Sequence, residues 1–388
     1  MQSSLLTGDA PALSTAWWLA PSELAAQIAE QTPTPRLSGR YRFGKRELVL
    51  KSNYLGLMQS FHEFWGDCRT ESQPVAGADA VVATIIRPRG SPIALMTLEQ
   101  PAIALDDLAF DLLHQIFARD PDKWVSEVPS QVEGWRLGAA SDDLKRPVVA
   151  VSRHRALVDL SWEPWMVLSY LAISAALRIQ RDVIFVHAGS VVIGEAGVLL
   201  AGESGTGKTT QALALVARGH EFFGDDLAAI EPETREILPF RRIGRVREGP
   251  RAANIDALVE ERDLKPGGMN QRREPRIYLR VGRYFPDGCR HERAPLHFAF
   301  FMREKKPAAA LHRFDAATAD EGTLFKSLTC NSLAATSWGS EGGNWLIRYR
   351  QLRHVLSGAQ CFYVDSGTPD ETADLIERTV KEELSCSR

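Results

Sequence analysis

Long apolar runs are missing from this sequence of 388 residues. The most apolar stretch, residues 165–179, is interrupted by Ser169 and Ser174 and is shorter than the roughly 20 residues that a membrane helix needs. The N-terminal residues 1–11 also lack a basic region followed by an apolar one, which is the pattern of a secretory signal. These absences predict a cytoplasmic protein with no membrane partner.

Cysteine is scarce, with five residues and no two at the C-x-x-C spacing of metal sites. An odd number of cysteines without a signal peptide argues against a disulfide framework, so we expect inert thiols. A strong charge of one sign is lacking too, since the net charge is −3. The charge balance therefore gives no reason to expect nucleic acid as a partner. Apolar residues make up 44% of the chain, enough for the cores of two or three domains.

Sequence patterns divide the chain into three parts. Residues 1–40 read as an N-terminal extension, in which Ser22 is predicted to cap a short helix over residues 23–30. Residues 41–160 mix β-branched apolar runs with amphipathic stretches, which predicts a small α+β domain suited to docking a substrate. Residues 161–388 begin with a helix and then short apolar strands separated by glycines, which predicts a second domain of α/β type.

A glycine-rich motif in the third part follows the apolar strand 198–201. Residues 202–209 read GESGTGKT and match G-x-x-x-x-G-K-[ST], the phosphate-binding loop. Glycines let successive backbone N–H groups converge on phosphate oxygens, and the helix that follows directs its positive end at the same anion. Lys208 supplies a cation for the β- and γ-phosphates, and the Thr209 hydroxyl is a ligand for Mg²⁺. The predicted nucleotide-binding residues are Gly202, Ser204, Gly205, Thr206, Gly207, Lys208, Thr209 and Thr210.

Two adjacent acids, Asp225 and Asp226, follow the next short apolar strand. Strands of such a sheet present their carboxyl ends to one crevice, so we expect the pair beside the phosphate site. One carboxylate would help to hold Mg²⁺, and the other would accept a proton from an attacking hydroxyl. Mg²⁺ would also offset the repulsion between the two acids. Loop and acids together predict a kinase that uses ATP and Mg²⁺.

The block from His187 to Asp226 resembles the catalytic core of HPr kinase/phosphorylase and its relatives. Those proteins share a His, a G-V-L strand, G-[DE]-S-G-x-G-K-[ST], a helix that ends in R-G-H, and an Asp-Asp pair. The matching residues here are His187, 197–200, 202–209, 218–220 and 225–226. The resemblance implies a mixed α/β fold, a P-loop kinase domain related to HPr kinase and phosphoenolpyruvate carboxykinase. A weaker likeness to a P-F-P-R segment lies at residues 239–242, PFRR.

The resemblance also implies roles for single residues. Lys208 would bind the phosphates and Asp225 would be the general base. Thr209 and Asp226 would hold the metal. His187 matches the family's histidine near the phosphate site, and its alternative interpretation is a buried histidine with a structural role. The candidates for an arginine that covers the transferring phosphate are Arg247, Arg276 and Arg280.

The sequence departs from the bifunctional enzymes of this family in two places. Their glycine-rich signature after the Asp pair is missing, and residues 1–160 do not resemble their N-terminal domain. Neither phosphorylase activity nor HPr as the substrate is therefore implied. The chain resembles instead a looser set of relatives that phosphorylate free serine or the precursor peptides of natural products.

A serine-type hydroxyl of a peptide or protein is the acceptor that we predict first, and free serine is the alternative. Relatives of this kind often form homo-oligomers, which stays open for this chain. A nucleotide-gated regulatory protein without phosphotransfer is a further alternative from a different class. A motor-type ATPase is disfavoured because no LSGGQ-like segment is present.

Overall fold

The computed structural model describes residues 17–32, 34–70, 80–100, 102–117, 125–128, 130–140, 147–160, 164–241, 244–247, 265–269, 275–290, 292–329, 332–338 and 344–386. These residues divide into two compact units. Unit 1 takes the described residues within Met1–Tyr41, Arg46–His62 and Thr70–Ile179, and unit 2 takes those within Arg42–Lys45, Glu63–Arg69 and Gln180–Arg388. The sequence predicted a division after residue 160, whereas the structure assigns the following helix to unit 1.

Unit 1 contains one mixed sheet with helices. Its strands are β1 (Leu37–Phe43), β2 (Arg46–Ser52), β3 (Ala80–Ile86), β4 (Ile93–Glu99), β5 (Val125–Val128), β6 (Arg136–Ala140), β7 (Pro147–Val151) and β8 (Arg155–Asp159). Its helices are α1 (Pro21–Gln31), α2 (Leu55–Trp65), α3 (Leu105–Phe117) and α4 (Pro164–Arg178). Residues 42–43 at the end of β1 and residues 63–65 at the end of α2 belong to unit 2. The strand order is β1-β2-β3-β4-β8-β7-β6-β5, with β2 and β3 parallel.

The start of α1 differs from the prediction. The helix begins at Pro21, and no side chain caps its first turn. Proline suits the first helical position because its fixed φ is already helical and its missing N–H would have no partner there. Ser22, the predicted cap, lies inside the helix, and its hydroxyl accepts a hydrogen bond from the Trp135 indole N–H at 2.8 Å.

Unit 2 contains the predicted phosphate-binding loop. Its strands are β9 (Ile184–Val186), β10 (Ala188–Ile193), β11 (Ala196–Gly202), β12 (Glu221–Gly224), β13 (Ala228–Glu231), β14 (Glu236–Leu238), β15 (Gly244–Arg247), β16 (Lys265–Met269), β17 (Pro275–Leu279), β18 (Ala294–Lys305), β19 (Ala310–Phe314) and β20 (Gln360–Ser366). Its helices are α5 (Lys208–Val216), α6 (Val281–Tyr284), α7 (Glu321–Thr329), α8 (Ser332–Trp338), α9 (Asn344–Ser357) and α10 (Pro369–Cys386). The mixed α/β class predicted from the sequence is confirmed.

The main sheet of unit 2 runs β12-β10-β11-β18-β14-β13-β9, with β20 beside β18 and β19 beside β20. Strand β10 lies between β11 and β12 and is antiparallel to both. Strands β11 and β12 therefore run in the same direction, and their carboxyl ends lie at the same edge of the sheet. A separate small sheet has the order β15-β17-β16.

Both faces of the main sheet are covered by helices. Val198 and Leu200 of β11 face a core that also contains residues of α5 and α10. Leu199 and Ala201 face the opposite core, with residues of α7 and α9. Because side chains alternate between the two faces of a strand, β11 is apolar throughout. This explains why the sequence around the loop reads as a continuous apolar run.

The cysteines are mostly shielded. Burial raises the pKa of the Cys68 and Cys361 thiols to about 12, and it also raises that of Cys289. The first two thiols are thus protonated and inert near neutral pH. Cys386 is exposed, and Cys330 lies outside the described residues. Within the described ranges no helix is long and apolar enough to cross a membrane.

Candidate phosphate-binding site

The predicted loop connects β11, which ends at Gly202, to α5. Gly202, Gly205 and Gly207 have φ angles of 138°, 92° and 101°, a region that side chains with a Cβ rarely adopt. A Cβ on Gly202 would lie 2.5 Å from the carbonyl oxygen of Met302 on the neighbouring strand β18. Glycine is therefore required at this position both by backbone conformation and by close approach of β18.

Lys208 begins α5 and is buried. Its ammonium Nζ donates hydrogen bonds to the carbonyl oxygens of Gly202 at 2.9 Å and Glu203 at 2.8 Å. The side chain thus folds back over the loop, and its positive charge lies beside the loop backbone. This is the position that the motif predicts for a cation that binds phosphate.

The Thr209 hydroxyl and the first acid of the pair are in direct contact. The hydroxyl Oγ1 lies 2.9 Å from both Oδ1 and Oδ2 of Asp225 and donates to this carboxylate. Asp225 is only 3% exposed. A Cβ on Gly224, the preceding residue, would lie 2.3 Å from the carbonyl oxygen of Phe240, so the chain is tightly held where the acid begins.

The second acid contacts His187, which lies between β9 and β10. Nδ1 of His187 is 3.1 Å from the carbonyl oxygen of Asp226 and 3.3 Å from its Oδ1. Asp226 has a φ of 65°, an uncommon conformation for a residue with a Cβ. The backbone N–H of the buried His187 donates to the carbonyl oxygen of Leu328 at 2.7 Å. The histidine thus positions Asp226, and α7 in turn positions the histidine.

The structure shows which of the predicted residues contact each other, and these pairs were not specified by the sequence. Asp225, which was expected to be the base, contacts the predicted metal ligand Thr209. Asp226, which was expected at the metal, contacts His187. The Thr206 hydroxyl donates to the Glu203 carbonyl at 2.9 Å within the loop. Ser204 and Gly205 are exposed, and Thr210 is partly exposed in the first turn of α5.

Of the three predicted arginines, only Arg280 has a described side chain. Arg280 donates to the carbonyl oxygen of Glu63 at 3.2 Å, a contact to backbone within unit 2. Arg247 and Arg276 are register partners on β15 and β17, and their side chains lie outside the described part of the chain. In the PFRR segment, the Phe240 N–H donates to the Phe223 carbonyl at 3.2 Å, which places Phe240 beside β12.

Sequence reasoning missed α7 altogether. Lys326 of this helix lies 2.7 Å from the loop carboxylate of Glu203, and Leu328 contacts His187 as described above. Leu324 and Leu328 are buried four residues apart, a spacing that indicates a helix. No motif in residues 321–329 indicates that this helix lies beside the loop.

The oxygen donors of the site fit Mg²⁺ by their chemistry. A hydroxyl and two adjacent carboxylates are the oxygen ligands that this ion prefers. Mg²⁺ commonly takes one or two protein ligands and completes its coordination with water and phosphate oxygens. The described residues include no group of three or more His, Cys, Asp or Glu that could hold a metal by themselves.

Comparison with known proteins supports a family relationship over part of the chain. Residues 181–245 match the family model of the HPr Serine kinase C-terminal domain. The HPr kinase/phosphorylase of Xanthomonas oryzae pv. oryzae is 35% identical over 105 residues, which is 26% of this chain and 28% of that protein. The HPr kinase/phosphorylase of Lactobacillus delbrueckii subsp. bulgaricus is 40% identical over 73 residues, 19% of this chain and 22% of that protein.

A solved structure, the Hpr(Ser) kinase/phosphatase from Coxiella burnetii, matches 53% of this chain and 99% of its own at 16% identity. Its TM-score is 0.27, which is too low to support a conclusion about this site. The chain spans less than a third of the length of the curated relatives that it matches. The matched residues 181–245 include His187, the loop and both acids, so this segment is similar to the HPr Serine kinase C-terminal domain.

Proposed function

We propose that this protein is an ATP-dependent kinase that transfers the γ-phosphoryl group to a serine-type hydroxyl of a peptide or protein. One observation supports this above the others: the Thr209 hydroxyl contacts both carboxylate oxygens of Asp225 at 2.9 Å. A phosphate-binding loop alone would bind nucleotide. A buried acid next to its metal-binding hydroxyl adds a group that can accept the proton of an attacking alcohol.

The loop and its helix would bind the triphosphate. The backbone N–H groups of the loop, the positive end of α5 and the Lys208 ammonium would attract the phosphate oxygens. When bound, Mg²⁺ neutralises part of the charge on the β- and γ-phosphates. Thr209 and Asp226 are the residues that would hold the ion.

Asp225 would accept the proton of the acceptor hydroxyl while that oxygen forms its bond to the γ-phosphorus. The bond from the γ-phosphorus to the bridging oxygen breaks, and ADP leaves with that electron pair. His187 would keep Asp226 in its unusual backbone conformation and so maintain the spacing of the acid pair. Because the transition state of phosphoryl transfer is loose, positioning and charge neutralisation account for most of the catalysis.

The support for a peptide or protein as the acceptor is indirect. The curated relatives are named HPr kinase/phosphorylase, a name that denotes a protein substrate. In the sequence, residues 41–160 and the arginine-rich stretch 241–284 lie outside the recognised motif, and we propose both as regions that dock a chain. Residues 41–160 as a docking domain, a cytoplasmic location and a homo-oligomer stay predictions from the sequence.

The test is incubation with radiolabelled ATP and Mg²⁺, with a panel of serine-containing peptides and free serine as acceptors. The proposal expects label on a peptide, and loss of that label with Asp225→Asn. Label on free serine alone would replace the peptide acceptor with a small molecule. Tight ATP binding without transfer to any acceptor would contradict a kinase and favour a nucleotide-gated regulatory protein.

A further inference from the structure

One helix outside the recognised motif contacts two parts of the phosphate site. Lys326 Nζ of α7 lies 2.7 Å from Glu203 Oε1, and Glu203 is the loop residue that follows Gly202. Two positions further along α7, the Leu328 carbonyl oxygen accepts the His187 N–H at 2.7 Å. Helix α7 therefore links the rim of the loop to the histidine that contacts Asp226.

Other contacts fix α7 in place. At its first turn, Glu321 Oε1 accepts a hydrogen bond from Arg353 Nη1 of α9 at 2.9 Å. Leu324 and Leu328 are buried in the core beneath β11. Since these contacts hold the helix backbone, Lys326 reaches the loop from a rigid support.

The position of the Glu203 carboxylate makes its negative charge unfavourable for nucleotide binding. Its carboxylate stands on a loop that would receive a triphosphate, so it would repel the ligand's negative charge. Lys208 already donates to the backbone carbonyls of Gly202 and Glu203. Lys326 is the residue whose ammonium contacts the Glu203 carboxylate itself, and it can offset this repulsion.

We propose that Lys326 is a positioning residue of the nucleotide site, which acts through Glu203 and holds the loop in the arrangement that receives phosphate. This inference rests on the proposed function, in particular on binding of a triphosphate by the loop. It does not depend on the identity of the phosphoryl acceptor.

A double-mutant cycle on the full chain tests the inference. The dissociation constant for ATP with Mg²⁺ is measured by calorimetry for wild type, Lys326→Gln, Glu203→Gln and the double variant. We expect Lys326→Gln to weaken binding about threefold to fivefold, the upper range for an exposed ion pair. In the Glu203→Gln background the same change should have no effect, because the carboxylate that Lys326 neutralises is gone.

Lys326→Glu should weaken ATP binding more, about tenfold, because the attraction between residue 326 and the Glu203 carboxylate becomes a repulsion. Lys381→Glu on α10 is the matched control. Lys326 and Lys381 are 69% and 65% exposed. Lys381 pairs with Glu377, which also contacts Arg218 just after the end of α5. The control should leave the dissociation constant unchanged. Neither variant should shift the unfolding temperature by much, because exposed ion pairs contribute little to stability.

Two results would overturn the inference. An equal loss in both backgrounds would mean that Lys326 contacts the nucleotide directly, and no loss in either would mean that the ion pair has no role. These readouts are separate from the proposed kinase activity. A chain that shows the predicted coupling but labels no acceptor would contradict the proposed function alone, whereas an active kinase without coupling would contradict this inference alone.

Discussion

Two carboxylates of unit 1, Asp111 and Glu127, are held by arginines, whereas the two acids of the phosphate site in unit 2 contact a hydroxyl and an imidazole. In unit 1, Asp111 accepts a hydrogen bond from Arg178 at 2.8 Å. Glu127 accepts from Arg136 at 2.8 Å and 2.9 Å, and these hydrogen bonds are the main reason that the pKa of Glu127 is lowered. Such acids are fixed as anions by a permanent cation.

In the phosphate site, Asp225 accepts from Thr209 and Asp226 lies beside His187. A hydroxyl donor leaves a carboxylate able to bind a metal ion or to take up a proton. The comparison teaches that acids of the same chemistry meet different donors: a hydroxyl and an imidazole at the phosphate site, and guanidinium groups at Asp111 and Glu127.

The largest expected effect separates the two kinds of acid directly. Asp225→Asn should lower kcat about 10²–10⁴-fold, because the variant has no base for the acceptor hydroxyl. Asp111→Asn should leave kcat unchanged and lower the unfolding free energy by about 1 kcal/mol through the weakened pair with Arg178. Phosphate transfer and thermal unfolding are the measurements. Full activity of Asp225→Asn would contradict the role of Asp225 as the base and would remove the expected difference from Asp111.

Cations allow the same comparison within unit 2. Lys208→Ala should weaken ATP binding about 100-fold, since it removes a buried charge that faces the phosphates. Lys45→Ala removes an ammonium that pairs with Glu231 and Asp182, so it should affect stability and leave ATP affinity unchanged. Calorimetric titration of both variants provides the measurement. Equal losses of affinity would show that Lys208 has no special role.

Two glycines, Gly224 in unit 2 and Gly134 in unit 1, extend the comparison to the backbone. Gly224→Ala should destabilise by about 2–3 kcal/mol and reduce activity, because the new Cβ meets the Phe240 carbonyl just before Asp225. Gly134 of unit 1 has a φ of 77° and no atom within 4 Å of a Cβ built on it. Gly134→Ala should therefore cost only about 1 kcal/mol and leave activity intact. Denaturant unfolding and kcat together check both outcomes.

The smallest expected effect is on the pH dependence of stability. The pKa of Glu231 is lowered from 4.5, chiefly by the hydrogen bond from Lys45, and that of Glu127 is lowered by Arg136. A lowered pKa in the folded state gives stability that is present above the unfolded value and lost as pH falls through the folded value. Glu231→Gln and Glu127→Gln should each flatten the decline of unfolding free energy below about pH 4.5, with the smaller change for the exposed Glu127 pair. Unfolding by urea between about pH 6 and pH 3 measures both slopes. An unchanged slope in Glu231→Gln would contradict the assignment.

Local patterns predicted the elements around the loop well, and contacts between distant segments less well. The strand predicted at 198–201 lies within β11, and the helix predicted to follow the loop is α5, which begins at Lys208. Each has a clear apolar run or a glycine boundary. Ser22 was wrong as a cap because proline at the first helical position competes with it, and a local pattern does not rank the two.

The arginine candidates and α7 show the limit of such reasoning. Arg280 was selected for its charge, yet it donates to the backbone of Glu63, a residue far away in the sequence. Lys326 reaches the loop from a helix whose own pattern indicates only that it is amphipathic. Both placements depend on contacts between segments that are distant in the sequence, and local composition does not predict such contacts.

The sequence by itself determined the loop: its glycines, Lys208 and Thr209 are contiguous, and the conformation of a short backbone segment follows from its own residues. The tertiary structure alone decided that Asp225 rather than Asp226 meets Thr209, and that α7 borders Glu203. The first contact depends on the placement of β10 between two strands that run in the same direction. The second depends on a helix far along the chain packing beneath β11. Strand order and packing arise from the burial of whole apolar faces, so no short pattern encodes them.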